Sequence, residues 1–135
     1  MLKELIDEGF GVKEDLNCAE KILYGANKVY DLNLDSNSLK LAAGFGGGMA
    51  IEDKCGALTA AIMVLGTLAV EKNAHESDRI KVLVKELFSE YKKETGSIDC
   101  APLKDKYRTP EKGCLDVISI AAGVLDKIVI KEKLL

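Results

Sequence analysis

The sequence predicts an all-α fold, a single helical bundle built around one apolar helix at about residues 54–71. Three observations lead there. Apolar residues recur at three- and four-residue steps along most of the chain, which is the helical period. Residues 54–71 are apolar on all sides, as suits the middle helix of a bundle. No stretch alternates strictly enough for a strand, although Val124 to Ile130 is rich in branched residues.

The elements follow in order. Residues 2–8 form a short first helix. Ala19, Ile22, Leu23, Ala26, Val29 and Tyr30 mark an amphipathic helix over 17–32. The polar run Asp31 to Ser38 connects it to a short helix at 36–43. The apolar helix at 54–71 comes next. Ile80, Leu83, Val84, Leu87, Phe88 and Tyr91 predict a helix over 77–94. Glu94 to Pro110, with Gly96 and both prolines, reads as a second connector. Val117, Ile118, Ala121, Val124, Leu125 and Ile128 predict a last helix over 112–131. No repeat or linker divides the 135 residues, so one domain over 1–135 is expected.

Composition narrows the function. Nineteen basic and 22 acidic residues give a net charge of −3, without the basic stripe of a nucleic-acid binder. There is no tryptophan, and aromatic residues are few, so base-stacking platforms are not expected. The uncharged stretch Cys55 to Val70 is short for a bilayer span. The first residues carry acids and no apolar signal core, so a cytoplasmic location is expected. There thiols stay reduced, and the four cysteines, Cys18, Cys55, Cys100 and Cys114, point to metal or redox chemistry. About half the residues are apolar, so the fold does not depend on disulfides.

Each cysteine falls at an expected helix start. Asn17 is a good N-cap for Cys18. Asp53 is placed to cap the helix that Cys55 begins, and Asp99 to cap a short turn at Cys100, with Pro102 where proline is tolerated. Gly113-Cys114 opens the last helix. Helix N-termini offer free N–H groups and positive partial charge, which favour a thiolate and lower its pKa. They would equally favour an anionic thiolate-bound cluster. The bland alternative is that each cysteine packs as a small hydrophobe.

Gly44-Phe45-Gly46-Gly47-Gly48-Met49 precedes Cys55 by a few residues. It is not a phosphate loop, since the lysine and Ser/Thr ending is missing. Gly46, Gly47, Gly48 and Gly56 are the candidates for close backbone approach to a cofactor. His75, the single histidine, sits in a polar link and reads as a solvated loop residue.

Cys18, the Gly-Phe-Gly-Gly-Gly-Met segment, Cys55-Gly56-Ala57 and two late cysteines resemble the C_GCAxxG_C_C family of small redox-active four-cysteine proteins. The resemblance runs from Cys18 to Cys114. It departs at Ala60, where the cysteine-glycine-alanine-x-x-glycine motif has its final glycine. The resemblance implies redox activity or iron–sulfur binding. A related domain in a multihaem cytochrome of sulfate reducers carries a [2Fe–2S] cluster, which makes that cluster the first expectation. Haem is not expected, because the cysteine-x-x-cysteine-histidine motif is absent.

Three functions remain open. The first is an iron–sulfur electron carrier with Cys18, Cys55, Cys100 and Cys114 as ligands. The second is a thiol–disulfide oxidoreductase using the same thiols without metal. The third is a structural zinc module, although zinc sites favour close cysteine pairs and the nearest pair here, Cys100 and Cys114, is 14 positions apart. The redox partner is an unspecified protein, and a homodimer is compatible with the sequence.

Overall fold

A computed structural model describes all residues, 1–135. It is all-α, with seven helices: α1 Leu2–Asp7, α2 Cys18–Val29, α3 Ser36–Leu39, α4 Gly56–Ala69, α5 Arg79–Thr95, α6 Cys100–Tyr107 and α7 Leu115–Lys131. The expected helices are present, most of them trimmed by a few residues. The connector 94–110 differs more. It holds the eight-residue helix α6, which its mixed polarity and proline hid, because Pro102 falls in the first turn where its missing N–H costs nothing.

Helix α4 is the middle of the bundle, packed against α2, α5 and α7. Ala57, Leu58, Ala60, Ala61, Val64 and Leu65 are fully buried on it. They join one apolar cluster with Ile22 and Leu23 of α2, Leu83 and Leu87 of α5, and Val117, Ile118, Leu125 and Val129 of α7. Ala60 is fully buried, so a methyl group fits where the family motif has its final glycine.

Helix α1 has no side-chain cap of its own. Its cap comes from α7. The Asp126 carboxylate accepts the Leu2 and Lys3 N–H groups, each at 3.0 Å, and the Tyr30 hydroxyl at 2.5 Å. One buried acid thereby ties α1, α2 and α7 together.

Between α3 and α4 the chain is irregular. A 3₁₀ turn, Lys40–Phe45, leads to a stretch in which Gly47, Gly48, Met49 and Ala50 all have φ between 62° and 66°. Glycine adopts this left-handed conformation freely, whereas Met49 and Ala50 each bear about 1–2 kcal/mol of strain. The turn is followed by a short antiparallel bridge, Lys54 with Asp99, which joins the approach to α4 to the approach to α6. A second bridge, Thr109 with Gly113, closes the loop before α7.

Candidate redox site

All four cysteines lie at helix starts, and those starts point into one cavity. Cys18 and Cys100 are the first residues of α2 and α6, while Cys55 and Cys114 are the N-cap residues of α4 and α7. The cavity has a volume of about 350 Å³, and Cys18, Cys55, Cys100 and Cys114 all line it. Cysteines far apart in sequence therefore share one wall because the bundle gathers four helix N-termini at one end.

Local bonding fixes each start. Asn17 and Glu20 form a reciprocal capping box, both bonds 2.9 Å, and the Asn17 amide also donates to the Ala43 carbonyl at 3.0 Å. Cys55 and Cys100 are positioned by the bridge rather than by side-chain caps. The Cys55 N–H donates to the Ile98 carbonyl at 2.9 Å, and the Cys100 N–H to the Asp53 carbonyl at 2.5 Å. Asp99 is the N-cap residue of α6, as the sequence predicts, but neither its side chain nor that of Asp53 makes a capping bond. Both carboxylates take the Lys54 ammonium instead, at 3.2 and 2.6 Å. A charged partner across the bridge outcompetes a local N–H there.

The bridge also sets the relation between Cys55 and Cys100. Each follows one member of the Lys54–Asp99 pair, so both side chains leave the same face as a diagonal pair. Diagonal neighbours on antiparallel strands sit about 7–8 Å apart at Cα. A disulfide rarely spans more than about 7 Å. All four cysteines are free thiols.

Of the four candidate glycines, Gly47 and Gly56 line the cavity. A Cβ on Gly56 would lie 2.6 Å from the Cys18 sulfur and 2.6 Å from the Phe45 carbonyl oxygen. Gly46 and Gly48 make room for other groups. A Cβ on Gly46 would strike the Asn17 amide, and one on Gly48 would meet the Asp53 N–H at 2.5 Å and Cys100 Cβ at 2.7 Å. The glycine segment thus holds the cysteine-bearing starts in place, and only Gly47 of that segment reaches the cavity. His75 is exposed in the 3₁₀ turn Ala74–Glu76, away from the cavity lining.

The electrostatics correct one expectation. Helix starts alone should depress the thiol pKa values, yet Cys55, Cys100 and Cys114 are all pushed up, first of all by burial. For Cys55 the Tyr91 hydroxyl and the N–H groups of Ala57 and Leu58 pull the other way. For Cys114 the opposing cations are Arg108, Lys104 and Lys21, and for Cys100 it is Lys104. Desolvation exceeds the benefit of the helix ends.

Four further site residues went unseen in the sequence. Tyr91 lies on the buried face of α5, where it reads as core, and its hydroxyl is 3.7 Å from the Cys55 sulfur. Lys21, Lys104 and Arg108 line the cavity. Their spacing carried a signal. Lys21 is one turn beyond Cys18, and Cys100, Lys104 and Arg108 recur every four residues, which puts cation and thiol on one helix face.

No group of three or more His, Cys, Asp or Glu side chains is arranged around a single-ion position. The thiols line a space larger than one ion.

Residues 16–128 match the family model described as "Putative redox-active protein (C_GCAxxG_C_C)". The chain belongs to the C_GCAxxG_C_C family. No curated protein and no solved structure matches it. The match takes in all four cysteines and the glycine segment, so the C_GCAxxG_C_C assignment covers every residue that shapes the cavity wall, from Leu16 of the α1–α2 loop to Ile118 of α7, except Asp15.

Proposed function

We propose that Cys18, Cys55, Cys100 and Cys114 hold an iron–sulfur cluster, [2Fe–2S], and that the protein transfers electrons through it. The observation that carries this reading is the convergence of four thiols, from four separate helix starts, on one cavity of about 350 Å³. Four thiolates are the ligand set of such a cluster, and two on each iron suffice. When bound, the cluster would supply one-electron chemistry.

The chain's own groups suit that load. Lys21, Lys104 and Arg108 offset the negative charge of a thiolate-bound cluster, and buried Tyr91 offers a hydrogen bond to one ligand sulfur. A lone zinc ion suits the wall less well, since it draws four ligands to about 2.3 Å of one point and no such grouping is formed. Thiol–disulfide exchange is the second reading, supported by the half-buried thiols Cys18 and Cys114. Against it stand the upward-shifted thiols, which are poorer nucleophiles at neutral pH, and the diagonal placement of Cys55 and Cys100.

Anaerobic purification, or reconstitution with iron and sulfide, tests the proposal. The expected protein is brown, carries two irons and two sulfides per chain, and bleaches on reduction. Serine at any one cysteine should lower iron content severalfold. Colourless, iron-free protein after reconstitution would overturn the cluster. Reversible disulfides in that metal-free protein would favour exchange, and one tightly held zinc would favour the structural site.

A further inference from the structure

The four thiols are not equally accessible. Cys55 and Cys100 are 4% and 8% exposed, whereas Cys18 and Cys114 are only half-buried. The cavity therefore opens on the Cys18–Cys114 side, and any exchange of electrons with another molecule is shortest there.

The charge around that opening contrasts with the rest of the chain. The protein carries −3 overall. The cavity lining holds three cations, Lys21, Lys104 and Arg108, against one carboxylate, Asp15. Lys104 is already paired with Glu52 at 2.9 Å. The Lys21 ammonium and the Arg108 guanidinium make no hydrogen bond or ion pair within the chain. A second, more open hollow of about 440 Å³ adjoins the first and shares Lys104, Arg108 and Gly113 with it. Arg108, the cation there without an ion-pair partner, carries the rim outward along the α6–α7 loop, beside the Asp105 carboxylate that also lines this hollow.

We propose that this rim is the docking face for an acidic electron-transfer protein, which approaches over Cys18 and Cys114. The inference rests on the redox reading of the site. Short-lived redox encounters bury little area and depend on complementary charge for their rate. Two cations without partners beside the most accessible thiols meet that need, and net charge alone would select the opposite partner.

Small probes of opposite charge test it. In the reduced, iron-loaded protein one electron passes to ferricyanide, an anion, giving ferrocyanide, with no bond made or broken. The same electron passes to hexaammineruthenium(III), a cation, giving the ruthenium(II) complex. If the rim governs approach, the ferricyanide rate falls about threefold or more between low and physiological salt, as screening shortens the rim's reach. The ruthenium rate rises over the same range. Arg108→Glu should slow ferricyanide about fivefold or more at low salt and speed the ruthenium complex, and Lys21→Glu should act in the same direction. A ferricyanide rate that rises with salt, as the net negative charge alone dictates, would overturn the proposal. So would an Arg108→Glu protein with full iron content and unchanged rates.

The metal-free protein separates this outcome from failure of the cluster itself. A protein thiolate attacks the disulfide of dianionic 5,5′-dithiobis(2-nitrobenzoate), forming a mixed disulfide and releasing an aromatic thiolate. Uncharged 4,4′-dithiodipyridine reacts in the same way. A basic rim gives the anionic reagent a rate advantage that salt and Arg108→Glu both remove. Loss of that contrast would overturn the basic rim even if iron binds. Its presence in a protein that binds no iron would leave the rim standing and the cluster rejected.

Discussion

Gly56 and Gly66 lie on the same helix and illustrate how much a single Cβ decides. By helix propensity each replacement by alanine should stabilise α4 by about 1 kcal/mol. Around Gly66 nothing lies within 4 Å of an added Cβ, so Gly66→Ala should realise about 0.5–1 kcal/mol. At Gly56 the added carbon meets the Cys18 sulfur and the Phe45 carbonyl, and the carbonyl, being backbone, cannot swing aside. Overpacking should win there, with Gly56→Ala costing about 1–3 kcal/mol. Urea unfolding of the two metal-free variants checks both signs. Tyr91 supplies a second residue-scale prediction. Its hydroxyl favours the ionised form of Cys55, so Tyr91→Phe should move that thiol still further up. The pH profile of Cys55 alkylation, followed by peptide mass, should shift to higher pH. An unchanged profile would mean that the 3.7 Å contact carries no hydrogen bond.

Among the elements, α1 is the one that depends most on a distant partner. Six residues make too short a helix to persist alone. Asp126 holds it through two N–H groups and also accepts the Tyr30 hydroxyl. Asp126→Ala leaves these donors buried without their acceptor, at a cost of about 2–4 kcal/mol. Hydrogen exchange of the Leu2 and Lys3 amides should accelerate in that variant, while the α4 amides retain their order of protection. Equal loss across all helices would show that Asp126 holds the whole bundle rather than α1. Helix α6 makes the complementary point. Its residues mix charge, proline and few apolar side chains, so period alone does not reveal it, and it is placed by the Lys54–Asp99 bridge and by burial of Leu103.

The burial of the thiols has a consequence for the molecule as a whole. Cys55, Cys100 and Cys114 have raised pKa values in the fold, whereas in the unfolded chain they ionise near the ordinary value of about 8.5. As pH rises past that value, the unfolded state holds fewer protons than the folded one. Stability of the metal-free protein then falls with pH. The contribution is complete below the ordinary thiol range and is lost as pH climbs toward the folded values. Tyr30 and Tyr91, also raised by burial, extend the decline above about pH 10. The urea midpoint in reductant should therefore be lower at pH 9.5 than at pH 7. A flat midpoint over that range would contradict the thiols' burial. Iron bound through these thiols should reverse the slope up to about pH 8.5, because ligated thiolates hold no protons in the fold while the unfolded chain still binds them below that value.

What the sequence determined by itself was the set of local facts. The apolar period gave the helices around Ile22, Leu87 and Leu125, since burial of one face at 3.6-residue spacing is a property of neighbours in the chain, and an all-round apolar run gave the helix around Val64. Asn17 marked the helix start at Cys18, and the other three thiols also stand at helix starts, although the bridge rather than the Asp53 or Asp99 side chain positions Cys55 and Cys100. Family membership was legible in the same residues. Tertiary structure alone decided that the four starts share one cavity, that Tyr91 faces Cys55, that Asp126 caps α1, and that Cys55, Cys100 and Cys114 rise in pKa rather than fall. Each of these depends on which groups meet across long loops, and on how much water they exclude when they do. Neither contact nor desolvation has a period that a single chain can display.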